Sequence, residues 1–182
     1  MGHPSSDPWV IGYGTNLRLV PLPIDPLEEA RRQWTSHGWG ALEAMSAATA
    51  ITRAHQLVLA GIDRALRPSG LTFSRYEALV LLTFSRNGSL PLGKMGERLM
   101  VHPTSITNTI DRLEAQGYVR RVPHPLDRRT ILAEITDEGR SVVKEATDAL
   151  VAAEFAVPTL DAGLVARLTE SLGKSLAGDD TH

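Results

Sequence analysis

Apolar residues recur along this chain at two periods, one near 3.6 and one near 2, and the second is confined to the middle of the sequence. From 39 to 66 the positions Leu42, Met45, Thr49, Ile51, His55, Val58, Ile62 and Leu66 fall near helical spacing, and Pro68-Ser69-Gly70 stops the run. This predicts one long helix. Ahead of it, Asp25-Pro26 reads as the N-cap and first position of a short helix carrying Leu27, Ala30, Arg31 and Trp34, with Gly38 ending it. Beyond it, Thr72 or Ser74 can cap a further helix whose Tyr76, Leu79, Val80, Leu82 and Thr83 make a strongly apolar face before Asn87-Gly88 turns the chain. A short strand is expected at 90–92. Two short helices follow at about 93–100 and 103–116, split by Val101-His102-Pro103, and Gly117 closes the second.

The β-period then takes over. Segments 118–122 and 130–135 are β-rich, and the stretch from Pro123 to Arg129 between them reads as a hairpin with a long basic tip. Helices resume at about 137–155, capped by Thr136 with Glu138 early in the first turn, and at about 160–176, closing near Gly178. Residues 1–26 carry eight Pro and Gly residues, which suits an irregular arm better than a helix or a central strand. The fold class is mainly α with a small β-hairpin, and 182 residues suffice to bury a sizeable core.

Composition removes several function classes. With no cysteine, zinc-finger, disulfide and thiol-nucleophile chemistries fall away. The six histidines never stand at i,i+3 or i,i+4, so no local metal site is expected, and no cofactor loop or clustered nucleophile suggests an enzyme. No apolar run approaches the roughly 20 residues needed to cross a bilayer, and no signal-peptide pattern opens the sequence, so a cytoplasmic protein without membrane contact is expected. The net charge of −2 is unevenly spread. Between Lys94 and Arg129 seven basic residues face four acidic ones, whereas from Ala133 onward four basic residues face ten acidic. The middle of the chain therefore carries the electrostatic footprint that a polyanion would recognise.

Gly70-Leu71-Thr72, Leu79-Val80-Leu81-Leu82, the block from Leu113 to Arg121, and Pro125-Leu126-Asp127-Arg128-Arg129 followed by Leu132 and Ile135-Thr136-Asp137-Glu138-Gly139 closely resemble the MarR (multiple antibiotic resistance regulator) family. The resemblance runs from about 50 to 176, and its most specific part is the spacing kept from Leu113 to Gly139. It implies a winged helix-turn-helix with a helical dimerisation layer. The expected divisions are an N-terminal arm and extra helix at 1–38, a dimerisation region at 39–70 and 137–182, and a DNA-binding domain at 71–136. It also implies a homodimer that binds double-stranded DNA at a pseudo-palindromic operator, acts as a repressor, and releases DNA when a small aromatic or anionic effector binds. Residues 1–40 lie outside the family pattern. The alternative from another class is a winged-helix module that binds protein, for which apolar anchors are expected where Thr104, Thr107 and Asn108 stand.

On the helix from Pro103, Ile106, Ile110 and Leu113 share one face, leaving Thr104, Ser105, Thr107, Asn108, Asp111 and Arg112 to project from others. Such side chains suit a major groove: Asn can address adenine bidentately, Thr can reach base edges and phosphates, and Arg prefers guanine or phosphate. Gly96 is expected where two helices cross closely. At the hairpin tip Arg128 and Arg129 are placed to reach a minor groove or its phosphates, and the resemblance favours Arg129 for the groove. Asp127 is expected to orient one of these arginines through a charge-assisted hydrogen bond. Arg120, Arg121 and Lys94 are expected on phosphates, positioning without specifying. For an effector the resemblance implicates the long helix and the start of the next, where Trp39, Arg53, His55, Arg75 and Tyr76 are available. The terminal helices, carrying Val142, Val143, Ala146 and Leu150 and then Leu164, Leu168 and Leu172, are expected to meet those of a second copy.

Overall fold

The first helix starts where a proline costs nothing. In the computed structural model, which describes residues 25–127, 129–157, 167 and 170, α1 (Pro26–Ser36) opens with Pro26 at a position whose N–H has no intrahelical partner, and Asp25 Oδ1 accepts the Leu27 amide at 2.9 Å. The chain leaves this helix through Gly38 at φ +66° and Ala41 at φ +56°. Left-handed backbone at 41 cannot continue a helix, so α2 spans Leu42–Leu66 and not 39–66 as the periodicity suggested. The arm expected at 1–24 and the helix expected at 160–176, with Leu164, Leu168 and Leu172, lie outside the described residues.

The chain divides into two compact units, 1–54 and 55–182, with the boundary inside α2. In the first, Arg31 ties α1 to the start of α2 by donating to Glu43 Oε1 at 2.9 Å and Ser46 Oγ at 2.6 Å. Trp34 meets Trp39 edge-on at 4.9 Å and donates its indole N–H to Gly40 O at 2.8 Å. Satisfying that N–H is what lets the ring act as packing.

In the second unit, a 3-10 turn at Arg67–Ser69 ends with Gly70 at φ +65°. Next comes α3 (Phe73–Phe84), whose first amide is capped from a distance: Asp63 Oδ1 on α2 accepts Phe73 N at 2.9 Å, while Thr72 and Ser74, the two expected caps, pair their hydroxyls with each other, Thr72 standing at the N-cap position without a side-chain cap bond. Strand β1 (Ser89–Pro91) leads into α4 (Leu92–Leu99) and, after a turn, α5 (Pro103–Ala115). Strands β2 (Val119–Pro123) and β3 (Ile131–Ile135) complete a three-stranded antiparallel sheet in the order β1-β3-β2. Val119 pairs with Ile135 and Pro123 with Ile131. Pro91 and Pro123 thus both fall on edge strands, where a missing N–H breaks no ladder.

The final described helix, α6 (Asp137–Ala152), is capped by Thr136, whose Oγ1 accepts Gly139 N at 3.0 Å. Its apolar face is covered by its own chain. Val142, Val143, Ala146 and Leu150 are buried in the same core as Tyr76, Leu79, Leu82, Ile110 and Leu113. The expectation that these four meet a second copy is therefore corrected: α3 packs against α6, and side chains already out of water gain nothing from a partner. The helix also stops short of 155, because Glu154–Ala156 take left-handed backbone and turn the chain back over Gly61 of α2.

Candidate nucleic-acid interface

Three elements of the second unit build one exposed, concave surface. Helix α5 is fixed from beneath: Ile106, Ile110 and Leu113 are 2%, 0% and 0% exposed, as the spacing required. Helix α4 crosses it closely at Gly96, where an added Cβ would lie 3.3 Å from Val101 O and 3.6 Å from the Ile106 side chain. That is the close crossing expected of Gly96. With one face anchored, Pro103, Thr104, Ser105, Thr107, Asn108 and Arg112 all stand exposed on the remainder of α5. A cleft of about 610 Å³ between α4, α5 and the hairpin is lined by Lys94, Thr107, Arg121, Arg129, Thr130 and Ile131, among others. The structure thus brings Thr107, Lys94 and Arg129 into one concavity, although they are far apart in sequence.

Charged clamps set the angle between α5 and the hairpin. The guanidinium of Arg121, 28% exposed, reaches from β2 to Asp111 Oδ1 at 2.5 Å and to Glu114 Oε2, while Glu114 Oε1 accepts the Arg121 amide at 3.1 Å. Burial pulls the Arg121 pKa down, but its hydrogen bonds and charge interactions with Glu114 and Asp111 outweigh that and leave it raised. Arg121 is therefore a brace inside the reading head and not the phosphate contact expected of it. Arg120, opposite Glu134 in the sheet register, donates through Nε at 3.0 Å and through an Nη to Glu134 Oε1. Arg120 remains exposed, so a phosphate contact there has to share or displace this cross-strand carboxylate.

The hairpin tip is organised through its backbone. Asp127 Oδ1 accepts the Arg129 amide at 2.9 Å and Oδ2 accepts the Thr130 hydroxyl at 2.7 Å, so Asp127 shapes the turn, and among the described residues it meets Arg129 through the backbone and not through the side chain. These two hydrogen bonds, the Thr130 one foremost, lower its pKa. Arg129 is exposed at this tip; Arg128 lies outside the described residues. Two histidines went unread in the sequence. His102 is the N-cap of α5, its Nδ1 accepting Thr104 N at 3.2 Å, and His124 Nδ1 accepts both Leu126 N at 3.2 Å and Asp127 N at 3.1 Å. The signal available was a repeated His-Pro dipeptide, once where α5 starts and once where the chain leaves β2. Glu134 and Glu114 were missed, and Asp111 was read only as an outward polar residue, because nothing local marks a carboxylate as a brace.

The effector candidates fare differently. Tyr76 is 7% exposed, with its hydroxyl 3.0 Å from Thr147 Oγ1 and its ring stacked on Phe73, which makes it a satisfied core residue. Arg75 donates to Gln116 Oε1 at 3.0 Å and to Thr72 Oγ1 at 3.3 Å. Trp39, Arg53 and His55 are exposed. Among the described residues no cluster of His, Cys, Asp or Glu could hold a metal ion, and no helix is long and apolar enough to cross a membrane.

A helix-turn-helix followed by a β-wing is the architecture these elements define. The MarR family model matches residues 73–131. Among solved structures, Sco5413, a MarR family transcriptional regulator from Streptomyces coelicolor, is 48% identical with a TM-score of 0.68, covering 77% of this chain and 99% of that one. CouR from Rhodococcus jostii RHA1, bound to p-coumaroyl-CoA, is 26% identical with a TM-score of 0.64, covering 75% and 94%. A curated relative, the HTH-type transcriptional regulator MT0903.1 from Mycobacterium tuberculosis, is 35% identical over 78 residues, 43% of this chain and 53% of the relative. The chain spans about half the length of the curated relatives it matches. It belongs to the MarR family, whose members are transcriptional regulators and not enzymes.

Proposed function

We propose that this chain is a homodimeric, DNA-binding transcriptional repressor that reads a pseudo-palindromic operator with α5 in the major groove and the β2-β3 wing at the adjacent minor groove. The observation that carries the reading is the division of α5 into a fully buried face and a face of exposed Thr104, Ser105, Thr107, Asn108 and Arg112, flanked by Arg129 across a shared cleft. Thr and Asn supply donors and acceptors for base edges, and Arg129 supplies charge for a narrow groove or its phosphates. A protein-binding module would instead present apolar anchors at 104, 107 and 108, and those positions are polar and exposed. The division of labour proposed is 71–136 for DNA, and 39–70 with 137–182 for assembly; in α6 that role falls to the face left outside the core, where Val151 is 61% exposed.

A small aromatic or anionic effector is proposed to lower DNA affinity, for which the p-coumaroyl-CoA held by CouR is a precedent on the same fold. Such an effector and DNA must weaken each other by the same factor. The test is selection of tight-binding duplexes from a random-sequence pool, followed by sedimentation of the complex. The expected result is an enriched two-fold-symmetric site with half-sites about one helical turn apart, bound by two chains. Enrichment of nothing, or of an asymmetric site bound by one chain, overturns the reading.

A further inference from the structure

The same dipeptide stands at a turn of both DNA-facing elements, His102-Pro103 where α5 begins and His124-Pro125 where the wing leaves β2, and in both the imidazole performs the same local task. His102 Nδ1 accepts Thr104 N at 3.2 Å; His124 Nδ1 accepts Leu126 N at 3.2 Å and Asp127 N at 3.1 Å. A backbone N–H can only donate, so Nδ1 must carry a lone pair in each ring. The proton of the neutral imidazole is therefore on Nε2, the ring nitrogen for which the described residues show no hydrogen-bond partner. The pattern makes each histidine a turn-former on one side and a lone N–H donor on the other, with proline fixing the backbone in between.

We propose that His102 and His124 are two further DNA-backbone contacts, each donating Nε2–H to a phosphate oxygen while its Nδ1 holds the turn, and each acting as the neutral imidazole. The inference rests on the DNA-reading function proposed above. Its support is positional and chemical. His102 is exposed beside exposed Pro103, Thr104 and Ser105, and His124 is half-buried in the same hairpin that presents exposed Arg129. Asp127 lies close enough to His124 to interact with it electrostatically, and its oxygens accept from Arg129 N and Thr130 Oγ1. A donor-only atom at such a surface matches phosphate oxygens, which accept only, and cannot distinguish one base sequence from another.

Neutrality gives the proposal a signature that lysine and arginine contacts lack. Removing a cation from a phosphate flattens the dependence of log K on log salt by about one unit, whereas removing an uncharged donor weakens binding without changing that slope. His102→Asn and His124→Asn keep an acceptor for the turn amides but shorten the side chain so that it no longer presents a donor where Nε2 stood. The chain and both variants are titrated at pH 8 against the tightest duplex selected from a random-sequence pool and against a scrambled duplex, at several salt concentrations. Each variant is expected to lose about 3- to 10-fold per half-site on both duplexes, with the slope unchanged. Affinity equal to the wild type overturns the proposal and leaves the histidines as turn-formers. A slope reduced by about one unit per half-site overturns the neutral form. Independently of DNA, imidazole ¹⁵N shifts of the free protein must report the Nε2–H tautomer at 102 and 124, and the Nδ1–H tautomer at either position refutes it there. If the wild type binds no duplex while both rings show the Nε2–H tautomer, the DNA-reading function has failed and this contact falls with it.

Discussion

Replacing Gly139 with Ala sets two opposed effects against each other at the joint between wing and α6. On propensity alone the change should help, since Ala is favoured over Gly in a helix by up to about 1 kcal/mol. The structure points the other way. A Cβ at 139 would lie 2.2 Å from Tyr118 O, 2.8 Å from the Ile135 side chain and 3.1 Å from Tyr118 C. The nearest obstacle is backbone, and it is held in place, because Tyr118 O accepts Thr136 N at 3.0 Å and Thr136 Oγ1 donates to Gly117 O at 2.8 Å. Relief needs a shift of roughly 1 Å, which strains the packing by about 1–3 kcal/mol and stretches a hydrogen bond worth about 1 kcal/mol. After subtracting the helix gain, Gly139→Ala should destabilise by about 2 kcal/mol. At roughly 2–4 °C per kcal/mol for a chain of this size, the Tm should fall by about 4–8 °C. Thermal unfolding followed by circular dichroism measures it, with Gly40→Ala as a control because nothing lies within 4 Å of a Cβ there. A Gly139→Ala protein as stable as the wild type, or more so, would refute the argument that backbone approach dictates this glycine.

Glu77 is half-buried, and desolvation raises its pKa above the ordinary value of 4.5. A carboxyl favoured in its protonated form by folding costs stability as pH rises through the window between its unfolded and folded values, so Glu77→Gln should raise the Tm slightly, by about 1–2 °C, at pH 7 and change nothing at pH 3.5; equal effects at both pH values contradict it. Asp127, with a lowered pKa, works with the opposite sign: its hold on the Arg129 amide is present above the ordinary carboxylate range and lost as pH falls through the lowered value, so the Arg129 amide shift should show a step below about pH 4, and the absence of that step contradicts it. Arg121→Met should leave β2 and the base of α5 with two unbraced carboxylates, costing about 1 kcal/mol of stability, and should lower specific DNA affinity while nonspecific affinity holds; equal losses on both would make Arg121 a phosphate contact after all.

The order of elements was legible because each carries a local mark: Asp25-Pro26 starts α1, Thr136 caps α6, Pro103 opens α5, and the change of period announces the wing. The apolar triad Ile106, Ile110 and Leu113 likewise fixed which face of α5 is outward. What stayed hidden depends on contacts distant in sequence. The Asp63 cap on Phe73 spans 10 positions, and the Arg120 to Glu134 pair spans 14, so neither has a local signature. Arginines 120, 121 and 129 look alike in sequence, yet two are engaged by carboxylates and only the register of β2 against β3 and α5 decides which. Tyr76 was an effector candidate only through the resemblance, which implicates the start of α3, and Thr147, the partner of its hydroxyl, lies 71 residues away with no local signature. The face of α6 read as an interface because amphipathicity shows that a stripe will be covered, not by what.

The central claim, that the exposed face of α5 reads base sequence, is tested most directly by titrating the wild type and Asn108→Ala against the selected duplex and its scrambled counterpart at two salt concentrations. Asn108 is exposed on α5 beside Thr107, which lines the cleft shared with Arg129. A bidentate contact to adenine contributes about 1–3 kcal/mol of discrimination, so the variant should lose roughly 5- to 150-fold on the selected site per half-site, almost nothing on the scrambled duplex, and none of its salt slope. Equal affinity of Asn108→Ala and wild type for the selected site, or an equal loss on both duplexes, would contradict the account.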